Sequence, residues 1–139
     1  NEMGIAEVAY LQALNKGARN IVAISGLERL YRKTGKIEQA EKYRQLAQRF
    51  RKSNPYYHYW LASNAFKDRK YTETLTHINR AISKHKKEHR FHFLKGLALL
   101  QSGDAQAAKE SFNKAEAYSE SDSTRNRYHS KFERLLSYY

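Results

Sequence analysis

The chain has 139 residues, no cysteine, and 26 Lys and Arg against 14 Asp and Glu, a formal net charge of +12. The missing cysteine excludes disulfides, thiolate-ligated zinc and a thiol nucleophile, while the positive field favours acidic ligands of protein, nucleic-acid or membrane origin and makes their binding salt-sensitive. No apolar stretch approaches the roughly 20 residues that span a bilayer and no charged-then-apolar segment opens the chain, so it reads as soluble, with cytoplasm and periplasm both open.

One proline, six glycines and many Ala, Leu, Glu, Gln, Lys and Arg predict helix throughout, and no β-branched run alternates over the length of a strand. Ala13, Ala47, Ala81 and Ala115 stand at intervals of 34 residues, and a second series, Ala6, Ala40, Thr74 and Ala108, keeps the same step. Small residues at two fixed offsets inside a period of this length predict stacked helical hairpins, each burying its apolar face against its neighbours.

The first element, residues 4–16 within a half-copy at 1–17, takes the place of a second helix. Its partner helix is expected upstream in the parent protein. Copy one, 21–54, places Leu27, Leu30 and Tyr31 on the inner face of helix A, Gly35 in the turn, and Ile37, Ala40, Tyr43 and Ala47 on helix B. Copy two, 55–88, repeats this with Leu61, Ala62 and Ala65, then Tyr71, Leu75, Ile78 and Ala81; Asn54 and Pro55 read as its N-cap and first-turn proline. Copy three, 89–122, carries Gly96, Leu99 and Leu100, then Gly103, Ala105, Ala108, Phe112 and Ala115. Gly35 and Gly103 fall where a left-handed helix cap is needed. From about Asp122 to the end at 139, Tyr128, Phe132, Leu135, Leu136 and Tyr139 keep amphipathic spacing. This predicts a closing helix that turns Arg125, His129, Lys131 and Arg134 to water.

The pattern resembles the tetratricopeptide repeat (TPR), with the Gly96 glycine and the Gly103-Asp104 turn among its marks. Glu28 and Ala62 stand where that glycine falls in copies one and two, Lys95 replaces a consensus leucine, and the usual proline between repeats is missing. The resemblance implies an all-α, right-handed superhelix of antiparallel helix pairs: a half-repeat, three repeats and a C-terminal capping helix, forming one domain over 1–139. It also implies a concave groove lined by the A helices. At the family's groove-facing offsets stand Arg29, Arg32 and Lys33, then Tyr56, Tyr59, Ser63, Phe66 and Lys67, then Arg90, Phe93, Leu97 and Gln101. Rings supply contact area with few rotors to freeze and guanidinium groups pair with carboxylates, so the expected ligand is an acidic or amphipathic segment of a protein partner. Tyr57 and Trp60 are expected to fill packing between copies; Tyr59, Phe66 and Phe93 suit groove and core equally.

Some relatives grip a chaperone tail through lysines and asparagines in their A helices. Ser25, Arg29, Trp60, Arg90 and Leu94 occupy those offsets, and no such clamp is predicted. The basic run Lys84, His85, Lys86, Lys87, His89, Arg90 reads as a solvated turn, with a phosphate or carboxylate docking site as the alternative. Nucleic acid is disfavoured because no base-reading motif occurs and the cations are dispersed. His85, His89 and His92 should be divided by a helix break with only Glu88 to help them, so no metal site is predicted. His58 and His92 share one repeat offset and are read as packing residues. No catalytic motif and no cofactor is predicted, and Glu110 and Lys114 read as a helix salt pair. The residues 54–61 and 89–94 also resemble the repeat region of bacterial proteins that carry a transglutaminase-like domain ahead of it. In that setting the repeats would serve as a recruiting arm or an intramolecular spacer. Oligomeric state is left open.

Overall fold

The computed structural model describes residues 1–138. Tyr139, the last position of the closing amphipathic series, lies outside them. Eight α-helices account for the described fold: α1 (Glu2–Lys16), α2 (Ile21–Lys33), α3 (Ile37–Ser53), α4 (Pro55–Lys67), α5 (Tyr71–Lys84), α6 (His89–Gln101), α7 (Ala105–Tyr118) and α8 (Asp122–Leu136). They form two compact units, residues 1–53 and 54–139.

The 34-residue step is written into the backbone as well as the side chains. At the A-to-B turns, Gly35 (φ 79°), Arg69 (φ 59°) and Gly103 (φ 88°) occupy one repeat offset in the left-handed region. Each turn closes with the same bond, from Lys36 N to Tyr31 O (2.8 Å), Lys70 N to Ala65 O (2.9 Å) and Asp104 N to Leu99 O (2.9 Å). A second bond precedes it, from Gly35 N to Arg32 O, Arg69 N to Phe66 O and Gly103 N to Leu100 O. These paired bonds satisfy the orphan carbonyls that a helix leaves at its end. Arg69 holds this geometry without glycine's freedom from a Cβ clash.

Helix starts obey the same register. Asn20 accepts from Ala23 N, Asn54 from Tyr56 N with Pro55 as the first helical residue, and Glu88 from Arg90 N. Asp104 caps α7 and Ser121 caps α8, each through its side chain.

In the first unit α2 pairs with α3, and α1 packs on α2. Leu27, Tyr31 and Ala40 form its core, joined by Tyr10, Leu14 and Tyr43. The Tyr31 ring stacks on Tyr43 at 5.7 Å, and its hydroxyl donates to Glu7 Oε1 at 2.7 Å. Burial and then that carboxylate push the phenol up to about 12. Gly26 lets the Tyr10 ring approach the α2 backbone, since a Cβ there would meet the ring atoms.

In the second unit α4 pairs with α5, α6 with α7, α5 packs on α6, and α8 closes over α7. One cluster gathers Ala62, Ile78, Ala81, Phe91 and Leu94. The other gathers Leu100, Ala108, Phe112, Ala115 and Phe132, with Phe93, Leu97, Tyr128, Leu135 and Leu136 at its edge. Phe112 and Phe132 stack at 4.2 Å, and Phe132 continues the stack to Tyr128 at 5.3 Å. The closing helix is therefore fastened by rings, each worth roughly 1.5–3 kcal/mol when buried. Gly96 admits the Phe112 ring to α6, the close approach that the glycine offset demands.

The small-residue series is buried through the three full copies, with Ala47, Ala81, Ala108, Ala115 and Thr74 fully buried and the Thr74 hydroxyl donating to Lys70 O, while Ala6 and Ala13 of the half-copy are only half-buried. Two expectations need correction. Trp60 does not fill a core, being 58% exposed with Tyr57 stacked on it at 6.2 Å; its angle on α4 turns it away from the Ala62 and Ala65 seam. Among the described residues Glu110 and Lys114 form no ion pair, both side chains lying in solvent where i, i+4 proximity alone does not hold them together.

Candidate binding surface

On α4 the residues at 56, 59, 63, 66 and 67 share one helical face. Tyr56 is exposed, Tyr59 and Phe66 are half-buried, and Lys67 is exposed at the helix end. Tyr59 leans on Phe91 at 5.3 Å and Phe66 on Tyr71 at 5.5 Å, so each ring has one side packed and one side open. Ser63 donates its hydroxyl to Tyr59 O of its own helix, which leaves it a spacer in this face.

Beside Tyr56 lies a polar knot at the start of α6. Tyr56 donates to Glu88 Oε2 at 2.7 Å, while Arg90 grips Glu88 through Nε at 3.0 Å and Nη2 at 3.2 Å. The Arg90 guanidinium also lies 5.4 Å from the Tyr56 ring centroid. The guanidinium foremost, aided by the phenol, holds the Glu88 carboxyl down at about 2 against the cost of burial. Arg90 is thereby committed to Glu88, yet its side chain stays 51% exposed.

The remaining positions read from the repeat offsets divide. Phe93 is packed, at 5.4 Å from Tyr128 and 5.7 Å from Phe132, with Lys131 Nζ 4.8 Å above its ring. Leu97 joins the same cluster, and Gln101 is exposed at the end of α6. In the first unit Arg29, Arg32 and Lys33 are exposed on one face of α2. Arg32 pairs with Glu28 at 3.0 Å. Arg29 and Lys33 line an open cleft of about 290 Å³ together with Tyr10 and Leu30.

The histidines of the basic turn are divided by the break between α5 and α6 and are individually engaged. His92 Nε2 meets Lys86 O and His89 Nδ1 meets the Tyr128 hydroxyl, each at 2.6 Å, while His85 rests edge-on against Phe91. His58 and His92 are buried. Burial pushes the His92 imidazole below its ordinary value, with its bond to Lys86 opposing. Among the described residues no group of histidines and carboxylates is arranged to hold a metal ion, and no helix is long and apolar enough to cross a membrane.

Sequence reasoning passed over Glu88 as a binding-face organiser and Phe91 as a core centre. A signal for Glu88 existed: 20, 54 and 88 keep the 34-residue step, so a residue aligned with two asparagine caps was due to start a helix.

No family model matches the chain, and no curated protein matches it in sequence. Among solved structures it is similar to the N-terminal domain of stress-induced protein-1 (STI-1) from C. elegans, with 16% identity and a TM-score of 0.55 over 83% of this chain and 93% of that one. A crystal structure of MamA aligns at 17% identity and a TM-score of 0.49 over 94% of this chain and 85% of that one. At the identity of the STI-1 domain what is shared is the fold. With its repeated hairpins, its turns recurring every 34 residues and its alanine contacts, the chain has an all-α fold of the tetratricopeptide-repeat kind.

Proposed function

We propose that the chain is a protein-interaction module that holds an acidic or amphipathic segment of a partner. The observation that carries this reading is the half-open aromatic face of α4, where Tyr56, Tyr59 and Phe66 each leave ring surface in water beside Lys67 and the outer edge of Arg90. Such a face offers apolar anchor sites bordered by cations, the composition that binding hot spots favour. Arg29 and Lys33, on the rim of the α2 cleft, supply a second place for carboxylates. Arg32 contributes less because Glu28 already neutralises it. Phe93 and Leu97 belong instead to the cluster under α8, and Ser63 lies within the α4 face.

The test is a titration of a fluorescent acidic peptide with phenylalanine anchors against the protein and against an Arg29→Glu, Lys33→Glu, Lys67→Glu variant. These three side chains are exposed, so their reversal leaves the cores intact. The expected result is weakening by about tenfold or more with a flatter salt dependence. Unchanged affinity removes the reading. Tighter binding of generic oligonucleotide than of peptide, with a steep salt slope, would assign the charge to nucleic acid instead.

A further inference from the structure

The charges of α8 fall into two sets. On one side they are matched: Arg125 pairs with Asp122 at 3.3 Å, and His129 lies between Glu116 at 3.3 Å and Glu133 at 3.2 Å. On the other side Asn126, Arg127, Ser130, Lys131 and Arg134 line an open cleft of about 600 Å³ with no carboxylate among them. All five are exposed, and among the described residues Arg127, Lys131 and Arg134 form no ion pair. A helix turns about 100° per residue, which sets Arg127, Lys131 and Arg134 within about 60° of one another beside the half-buried Tyr128 and Leu135, with the matched charges in a different sector of the helix.

Three unpaired cations on adjacent turns repel one another, and an anionic chain laid along them relieves that repulsion. The helical rise separates Arg127 from Lys131 by about 6 Å and Lys131 from Arg134 by about 4.5 Å. Side chains on one side of an extended peptide recur about every 6.6 Å, close to the Arg127–Lys131 step, and the long Arg134 side chain spans the remaining difference of about 2 Å at the second step. Asn126 and Ser130 flank them along the cleft with an amide and a hydroxyl for the peptide's backbone. A single-stranded nucleic acid would need rings for its bases to stack on. The cleft lining contains none, and Phe93 beneath it is covered by Lys131 and packed on Tyr128 and Phe132.

We propose that this face of α8 is a binding rail for an extended acidic peptide, whose alternate carboxylates seat on Arg127, Lys131 and Arg134. The proposal rests on the reading of the chain as a peptide-binding module and places the acidic contacts on the helix that the sequence predicts as the closing one. Lys131 is held in place by the Phe93 ring under its ammonium group, so it pays little ordering entropy on binding.

The experiment compares the protein with an Arg127→Gln, Lys131→Gln, Arg134→Gln variant and with the Arg29, Lys33, Lys67 variant. The probes are a labelled peptide of alternating aspartate and glycine and a labelled oligothymidine, each at low and high salt. Loss of about tenfold or more in peptide affinity in the α8 variant, with a flatter salt dependence, supports the rail. Peptide affinity lost only in the other variant overturns the rail and leaves the module reading standing; loss in neither overturns both. Oligothymidine bound more tightly than peptide, and released by the α8 changes, overturns the assignment of a peptide occupant. Backbone amide shifts of the unaltered protein on adding the aspartate peptide give a reading independent of any variant. They are expected to concentrate between 126 and 134, and shifts elsewhere alone would also overturn the rail.

Discussion

The two units obey the same repeat but differ in what fills them. In the first, α1 has no buried residue, and Ile5, Val8 and Leu11 remain 71%, 54% and 42% exposed. Its core rests on two tyrosine-rich contacts around Leu27 and Tyr31. In the second, Phe91 and Phe112 are fully buried and rings stack continuously from Phe112 through Phe132 to Tyr128. A shared periodicity thus sets where helices begin and turn, and the residues between those points set how firmly each hairpin is held.

That contrast can be broken most directly at Phe112. Phe112→Ala should cost about 3–5 kcal/mol and, by hydrogen exchange, loosen α6, α7 and α8 while leaving α2 and α3 protected as before. Equal loss of protection in α2 would show that the two units unfold as one. The glycine contacts sharpen it further. Gly96→Ala drives a methyl into the buried Phe112 ring and should destabilise by about 1–3 kcal/mol. Gly26→Ala meets the half-buried Tyr10 ring, which can swing outward, and thermal unfolding should show a smaller loss.

Acid probes the polar knot. Glu88 sits at about 2 in the folded chain against an ordinary 4.5, so its stabilising contribution is complete above pH 4.5 and disappears as pH falls toward 2. Urea midpoints measured across that window should drop for the native sequence and stay flatter for Glu88→Gln. An equal pH response in both would place the acid sensitivity elsewhere. The smallest effect is expected at Arg69, where Arg69→Gly relieves a left-handed residue and should raise stability by up to about 1 kcal/mol. Destabilisation there would mean that the arginine side chain contributes more than its backbone costs.

The hairpins were legible in the sequence because steric need repeats: a backbone approach demands a small residue wherever it recurs, and Ala47, Ala81 and Ala115 report it at every copy. The turns were legible at Gly35 and Gly103 and hidden at Arg69, whose type gives no sign of a positive φ. The ring assignments were not legible. Tyr57, Tyr59 and Trp60 are neighbours on one helix, and a few tens of degrees around its axis decide whether each meets a core or water. Phe93 suited groove and core equally until α8 was seen to lie over it. The α8 cations were read as a solvated face because pairing depends on which acids neighbouring turns and α7 bring within reach, and Glu116 and Glu133 both fall on the His129 side.

The bond common to every hairpin bend is a main-chain one, Lys36 to Tyr31, Lys70 to Ala65 and Asp104 to Leu99. Side chains add to it only locally, Thr34 at the first bend and Ser102 at the third. Mutational drift along the helices can then exchange one ligand chemistry for another while the corner stays put, which is how a chain sharing one residue in six with the STI-1 domain keeps the same architecture.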